Sequence, residues 1–394
     1  MTNYSKVSME PLDSESFCPL LFNGLYINPN GEVYSCCLMD KQYKYGDLRV
    51  DNLDTCINNK KLRRIKADSL NGIQNKVCQA CWDLERNPNT RDFSGRLSAL
   101  KYYANWMNHE DQFKLEMVDL RWQKTCNYAC IMCDVVHSSK WVSELTQANV
   151  ADLDFLRFPY TVSNETIEFI TGNVANIKEI YLAGGEPLQM TENAKLLNYF
   201  LKINPDVIIR LNTNLSTLDT EVYRIIRKFP QANVQWNISI DGELEMYEYV
   251  RYPGKWNNVY QNLKILAETY DNIFCDILVN VLNYDSVLQL TSNVLLNDVN
   301  IDLDRIKFTA LSHPEQLDIR NYSNSTLDKI IKNMQEFIDS HPTNNVMSTS
   351  ISALINHITN RDFTKNIDNT RAFLLQLDKR RNSDYKTLGT YLNE

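Results

Sequence analysis

Three cysteines, Cys126, Cys130 and Cys133, fall within eight residues of the stretch TCNYACIMCD at 125–134. In a reducing compartment, thiols clustered this tightly serve as metal ligands or catalytic groups rather than disulfides. Zinc and iron–sulfur sites usually take four protein ligands, and only three thiols stand here. Two chemistries fit: a structural zinc completed by His137, or a four-iron cluster that leaves one iron open for a substrate or cofactor. A second group lies upstream, where Cys18 and Cys36 combine with the CxxC pair Cys78 and Cys81 to offer four thiolates. Cys37 stands beside Cys36 and is an alternative to it. Cys56 and Cys275 stand alone and read as plain thiols, Cys275 among apolar residues of the core.

Such groups need a scaffold that brings them together. From residue 115 onward, short β-rich runs alternate with helical stretches: MVDLRW at 117–122, IKEIYLAGG at 177–185, VIIRLNTN at 207–214, VQWNISIDG at 234–242, IFCDILVNVLN at 273–283 and IDLDRIKFTAL at 301–311. Val222, Ile225, Ile226 and Phe229 recur at helical spacing between the third and fourth runs. Val259, Leu263, Leu266 and Tyr270 do so between the fourth and fifth. This alternation predicts a parallel sheet with crossover helices. Six units are too few for a closed barrel of eight, so a partial, open one is expected.

Polar residues gather where the runs end: the cysteine loop after the first, Gly184, Gly185, Glu186 and Pro187 after the second, and Asn212 and Asn214 at the third. Ser239 and Asp241 close the fourth, and Asn280 and Asn283 the fifth. Parallel barrels build their active sites at that end of the strands. Near the N-terminus, YINPNGEVYSC places two β-rich runs around Asn30-Gly31, a hairpin signal. Beyond residue 312, Leu327, Ile330, Ile331, Met334, Phe337 and Ile338 mark an amphipathic helix, and a second helical segment begins near Asn369. The expected architecture is therefore α/β: a partial (β/α)6 TIM-like barrel at 115–312, a small N-terminal cysteine-rich β-hairpin domain at 1–95, a helical linker at 96–114, and a helical C-terminal tail at 313–394 that covers an open barrel edge or walls the substrate.

A hydrophobic fraction of 43% and a charged fraction of 23% are ordinary for a globular protein. A formal charge of -8 and a pI near 5.3 disfavour a surface that grips nucleic acid throughout. The basic run KKLRRIK at 60–66 reads as a solvated helix face. No apolar stretch is long enough for a membrane span, and the opening residues have no apolar segment of the kind a signal peptide carries. A cytoplasmic location follows as the expectation.

The CxxxCxxC spacing after a first barrel strand resembles the signature of the radical S-adenosylmethionine (radical SAM) superfamily, with Met132 where that family often has an aromatic residue. The resemblance implies a 4Fe–4S cluster on Cys126, Cys130 and Cys133 whose open iron chelates S-adenosylmethionine. It further implies a 5′-deoxyadenosyl radical that abstracts hydrogen from a substrate. GGEP at 184–187 is similar to the family motif that holds the cofactor's amino group, with Glu186 complementary to the ammonium. ISIDG at 238–242 resembles the fourth-strand motif, which implies Ser239 and Asp241 near the ribose or carboxylate. VNVLNYD at 279–285 resembles the segment bordering the adenine and implies Asn280; Asn212 and Asn214 complete the cofactor-binding set. The N-terminal layout, with Gly31 and Cys36 on the hairpin, GDL, and then CxxC, resembles the twitch domain, the short form of the SPASM domain. That implies a second, auxiliary 4Fe–4S cluster on Cys18, Cys36, Cys78 and Cys81, with a structural zinc in the same thiolates as the alternative. Twitch domains usually follow the barrel, and here the resemblance precedes it.

These resemblances imply a radical SAM enzyme acting on a peptide or protein side chain and reduced by a flavodoxin- or ferredoxin-like electron donor. The same chemistry on a nucleotide, an RNA base or a small metabolite is the alternative. A non-catalytic, zinc-stabilised binding protein is the second. No residue is assigned as general acid or base.

Overall fold

The computed structural model describes residues 15–88, 90–103, 114–148, 160–342, 345–360, 363–390 and 392. Part of the expected linker, 104–113, lies outside the described residues. Two compact units emerge: Met1–Gln123 with Pro159–Gly184 and Asn198–Ile209, and Lys124–Phe158 with Gly185–Leu197 and Arg210–Glu394.

All six runs form strands. They are β4 (Met117–Leu120), β5 (Glu179–Leu182), β6 (Ile208–Thr213), β7 (Val234–Ser239), β8 (Ile273–Val279) and β9 (Ile306–Ala310), and they lie side by side in sequence order. Parallel pairing is recorded for β4 with β5, β7 with β8 and β8 with β9. Ahead of them stand β1 (Gly24–Ile27), β2 (Glu32–Tyr34) and β3 (Gly46–Asp47), so the sheet has nine strands among the described residues.

The expected hairpin is present as β1 and β2, paired antiparallel. Its turn is held by Asn28, whose Oδ1 accepts from the backbone N–H of Asn30 and Glu32, each at 3.0 Å. Gly31 sits at φ 79, where a side chain would be strained and would also meet the ring of Tyr160. The hairpin does more than carry cysteines. β1 pairs in parallel with β4, so it continues the sheet. Tyr26, Asp119 and Tyr181 consequently stand in one row across β1, β4 and β5.

The basic run at 60–66 opens the helix Lys60–Leu70, and only part of it is solvated. Leu62 and Ile65 are buried, and so is Lys66, whose ammonium lies 5.3 Å from the Phe22 ring centroid. A lysine stem can line apolar surface while its charge finds an aromatic face.

In the C-terminal region the helix Asn324–Asp339 buries Leu327, Ile330, Met334 and Ile338. The helix Ile367–Arg381 follows the second expected segment. Between them lies a helix the periodicity did not reveal, Val346–Thr359, started by a capping box of Asn345 and Ser348. It covers the edge strand: the N–H of Phe308 on β9 donates to Ser350 Oγ at 3.0 Å. An exposed edge would otherwise present unpaired backbone groups. Ser350→Ala leaves that buried N–H without an acceptor and should lower stability by about 1–3 kcal/mol. Denaturant unfolding checks this, and an unchanged midpoint would show that the bond contributes nothing.

Candidate functional site

The cysteine loop is pinned by its backbone. The N–H of Ala129 donates to Tyr252 O at 2.7 Å and that of Ile131 to Val250 O at 2.9 Å. Ser139 Oγ accepts from Cys126 N and donates to Cys126 O, both at 3.1 Å. Trp141 Nε1 donates to Cys130 O at 2.8 Å, and Ser138, which caps the helix Ser139–Gln147, donates to Tyr128 O at 2.5 Å. Cys130 is buried, while Cys126 and Cys133 are half-buried. Burial pushes the Cys126 thiol up to about 12, with neighbouring Cys130 and Glu186 adding to the rise, and it pushes Cys133 and Cys130 upward as well. Such thiols stay protonated until a metal replaces the proton.

The glycines of GGEP permit close backbone approach. Gly184 adopts φ 105, and a Cβ there would lie 2.9 Å from Gln123 O. A Cβ on Gly185 would collide with Thr125 O. Glu186 then donates its own N–H to Thr125 O at 2.7 Å, tying this segment to the start of the cysteine loop. Its carboxylate is buried and accepts three bonds: Oε1 from Thr213 Oγ1 at 2.7 Å and Leu188 N at 3.2 Å, Oε2 from Asn214 N at 2.8 Å. Burial raises its pKa to about 7 despite those donors. Among the described residues it has no salt-bridge cation, so an incoming ammonium would favour its ionised form. Pro187 occupies the first turn of the short helix Pro187–Gln189.

At the end of β6, Asn214 Nδ2 donates to Asn127 Oδ1 at 3.0 Å and lies 4.0 Å from Cys126 Sγ. Asn212 and Ser239 face each other, Oγ to Oδ1, at 3.5 Å. Asp241 is wholly buried and both its oxygens are taken: Oδ1 by Leu278 N at 2.7 Å, Oδ2 by Arg251 Nε at 2.7 Å and Nη2 at 2.5 Å. What reaches the cysteine loop is therefore Arg251, with Nη1 at 3.9 Å from Cys130 Sγ. Asn280 is fully buried at the end of β8, and its Nδ2 has no hydrogen-bond partner among the described residues. An orphaned donor at such a position suits an acceptor on a bound ligand.

In the other unit, Cys18, Cys36, Cys78 and Cys81 influence one another in every pairing. Burial raises all three of Cys18, Cys36 and Cys78. Burial also raises Cys37, which adjoins Asp119, Arg121 and Lys41 and acts on Cys36 beside it. Arg96, buried and ion-paired with Glu85 at 2.5 Å, lowers both Cys18 and Cys78. Arg121 pairs with Asp119 at 3.0 Å and lies over the Tyr26 and Tyr181 rings. Cys56, against Gly46, and Cys275, on β8, are buried core thiols.

Do these residues fit iron–sulfur clusters? Among the described residues no three His, Cys, Asp or Glu side chains close to the span of one metal ion. The loop thiols lie close enough to influence one another, and thiolates are the ligands that iron–sulfur clusters take. His137 Nδ1 is engaged by Asp134 Oδ1 at 2.8 Å. The donor set fits.

Residues 120–290 match the model of the radical SAM superfamily, and residues 18–82 match that of SPASM, an iron–sulfur cluster-binding domain. No curated protein matches the chain. Among solved structures, Streptococcus suis SuiB bound to precursor peptide SuiA is 14% identical, with a TM-score of 0.42 over 66% of this chain and 53% of SuiB. TYW1 with a bound lysine–pyruvate adduct is 17% identical, with a TM-score of 0.30 over 57% of this chain and 71% of its own. Spore photoproduct lyase with bound AdoMet and dinucleoside spore photoproduct is 10% identical, with a TM-score of 0.33, covering 58% and 80% respectively. The chain spans about half the length of SuiB.

Arg251→Met leaves the Asp241 carboxylate buried and unpaired, which should destabilise the protein by about 3–5 kcal/mol. The double variant with Asp241→Asn should recover most of that loss. A double-mutant cycle in denaturant checks the pairing, and strictly additive losses would contradict it.

Proposed function

We propose that the chain, with a radical SAM domain at 120–290 and a SPASM domain at 18–82, is a radical SAM enzyme that modifies a peptide or protein side chain. The observation that carries this reading is Glu186: a buried carboxylate without a salt-bridge cation among the described residues, bound through its own backbone to the start of a loop that supplies three thiols. When bound, a 4Fe–4S cluster and S-adenosylmethionine supply the 5′-deoxyadenosyl radical.

Cys126, Cys130 and Cys133 hold the cluster and leave one position for the cofactor. Gly184 and Gly185 let the backbone approach it, Glu186 faces its ammonium, and Pro187 fixes the turn that follows. Asn212, Asn214 and Ser239 line the strand ends beside it, and Asn280 offers its spare donor to the adenine. Asp241 acts through Arg251, which it holds against Cys130. Cys18, Cys36, Cys78 and Cys81 hold the auxiliary cluster. The SPASM match supports a peptide or protein substrate, since many enzymes that carry this domain modify peptides or proteins. An acidic one-electron carrier of the flavodoxin or ferredoxin kind supplies the reducing electron. Among the described residues no helix is long and apolar enough to cross a membrane.

Purified without oxygen, the protein should carry two 4Fe–4S clusters. Alanine at Cys126, Cys130 and Cys133 should remove one and keep the other. Stoichiometric zinc without iron would end this reading. A Cys78→Ala, Cys81→Ala variant shown by circular dichroism to be folded should still cleave S-adenosylmethionine with dithionite, and should fail to turn over its substrate. Turnover at the parent rate would make the N-terminal site purely structural.

A further inference from the structure

A cluster that is reduced one electron at a time needs a donor to dock where its ligands come close to the surface. The outer flank of the cysteine loop has a feature suited to this. The helices Ser139–Gln147 and Ile367–Arg381 enclose a groove of about 550 Å³. Its charged lining is Lys140, Lys379, Arg380 and Arg381 against the single carboxylate of Glu144. Four cations against one anion stand in a chain whose formal charge is -8. Glu144 is occupied by Arg381 at 3.1 Å and Arg380 at 3.4 Å. Lys140 and Lys379 have no carboxylate in ion-pair reach among the described residues, and Lys379 is exposed.

The floor of the groove is the cysteine loop's own support. Arg381 Nη2 donates to Ala129 O at 2.8 Å, and its guanidinium lies 4.5 Å from the Tyr252 ring centroid and 4.9 Å from that of Trp141. Tyr252 in turn accepts from Ala129 N, and Trp141 donates to Cys130 O. Arg381, Tyr252 and Trp141 thus join the groove to the backbone of Ala129 and Cys130.

We propose that this groove docks the acidic one-electron carrier protein that reduces the cluster. The inference rests on the proposed function and adds to it the place of entry. A cationic patch steers an acidic partner and speeds its association in a salt-dependent way. The position against Ala129 and Cys130 favours an electron carrier over an acidic segment of the substrate.

The test compares two reductants on the anaerobic holoprotein and its Lys140→Glu, Lys379→Glu variant. Cluster bleaching is followed with photoreduced flavodoxin and, separately, with dithionite. The expected result is a fall of about tenfold or more in the flavodoxin rate at low salt, narrowing as salt rises, with the dithionite rate unchanged. Equal flavodoxin rates for parent and variant would overturn the proposal, as would a variant whose only defect is a raised KM for substrate. A chain without iron–sulfur absorbance, or with a cluster that dithionite cannot reduce, would instead defeat the proposed function itself.

Discussion

The site depends on one buried carboxylate. Glu186 holds Thr213 and Asn214 at the end of β6 and the N–H of Leu188 in its own turn, while its backbone N–H binds Thr125 at the head of the cysteine loop. Desolvating an ionised carboxylate is costly, and three hydrogen bonds offset only part of that cost. Its pKa near 7 expresses the remainder. A cation placed beside it would favour the ionised form. Gly184 and Gly185 keep this segment in place, since a Cβ on either would push it off the backbone it packs against.

Charge around the thiols is distributed unevenly. Cys126 has Glu186 for a neighbour and Cys133 has Asp134, whereas Cys130 sees two guanidinium groups, Arg251 and Arg381, together with the Asp241 carboxylate. The N-terminal four repeat the device with Arg96. In each case a carboxylate fixes the arginine: Asp241 for Arg251, Glu144 for Arg381, Glu85 for Arg96. Thiolates that bind iron keep negative charge, and a guanidinium held rigidly beside them compensates it while a hydrogen bond to sulfur tunes the cluster. These arginines shape the electrostatics of both thiol sites without being ligands.

Much of this was legible in the sequence. Six strands were readable because apolar runs ended in turn residues, and the hairpin because Asn30-Gly31 marked it. The cysteine spacing and GGEP marked the candidate site, and at Gly184 and Gly185 the close backbone approaches leave no room for a Cβ. What stayed hidden depends on tertiary contact. Nothing around Arg251 or Arg381 announces a partner more than a hundred residues away, near Cys130 and Ala129. The helix Val346–Thr359 went unread because its sequence is rich in serine and threonine, which weaken the apolar period, although Ser350 is what meets the edge strand. Asp241 stands at its strand end in an ion pair with Arg251 that the sequence pattern does not show. β1 joined the barrel sheet for a reason no local pattern holds: parallel pairing with a strand some ninety residues on.

The central claim is that the cysteine loop holds a cluster open to S-adenosylmethionine while the N-terminal thiols hold a closed one. Electron paramagnetic resonance of the anaerobic, dithionite-reduced protein, recorded with and without S-adenosylmethionine, tests it most directly. The account predicts that the cofactor shifts one of two cluster signals, and that the shifting signal alone disappears in a Cys126→Ala variant. Two signals that both ignore the cofactor would contradict it.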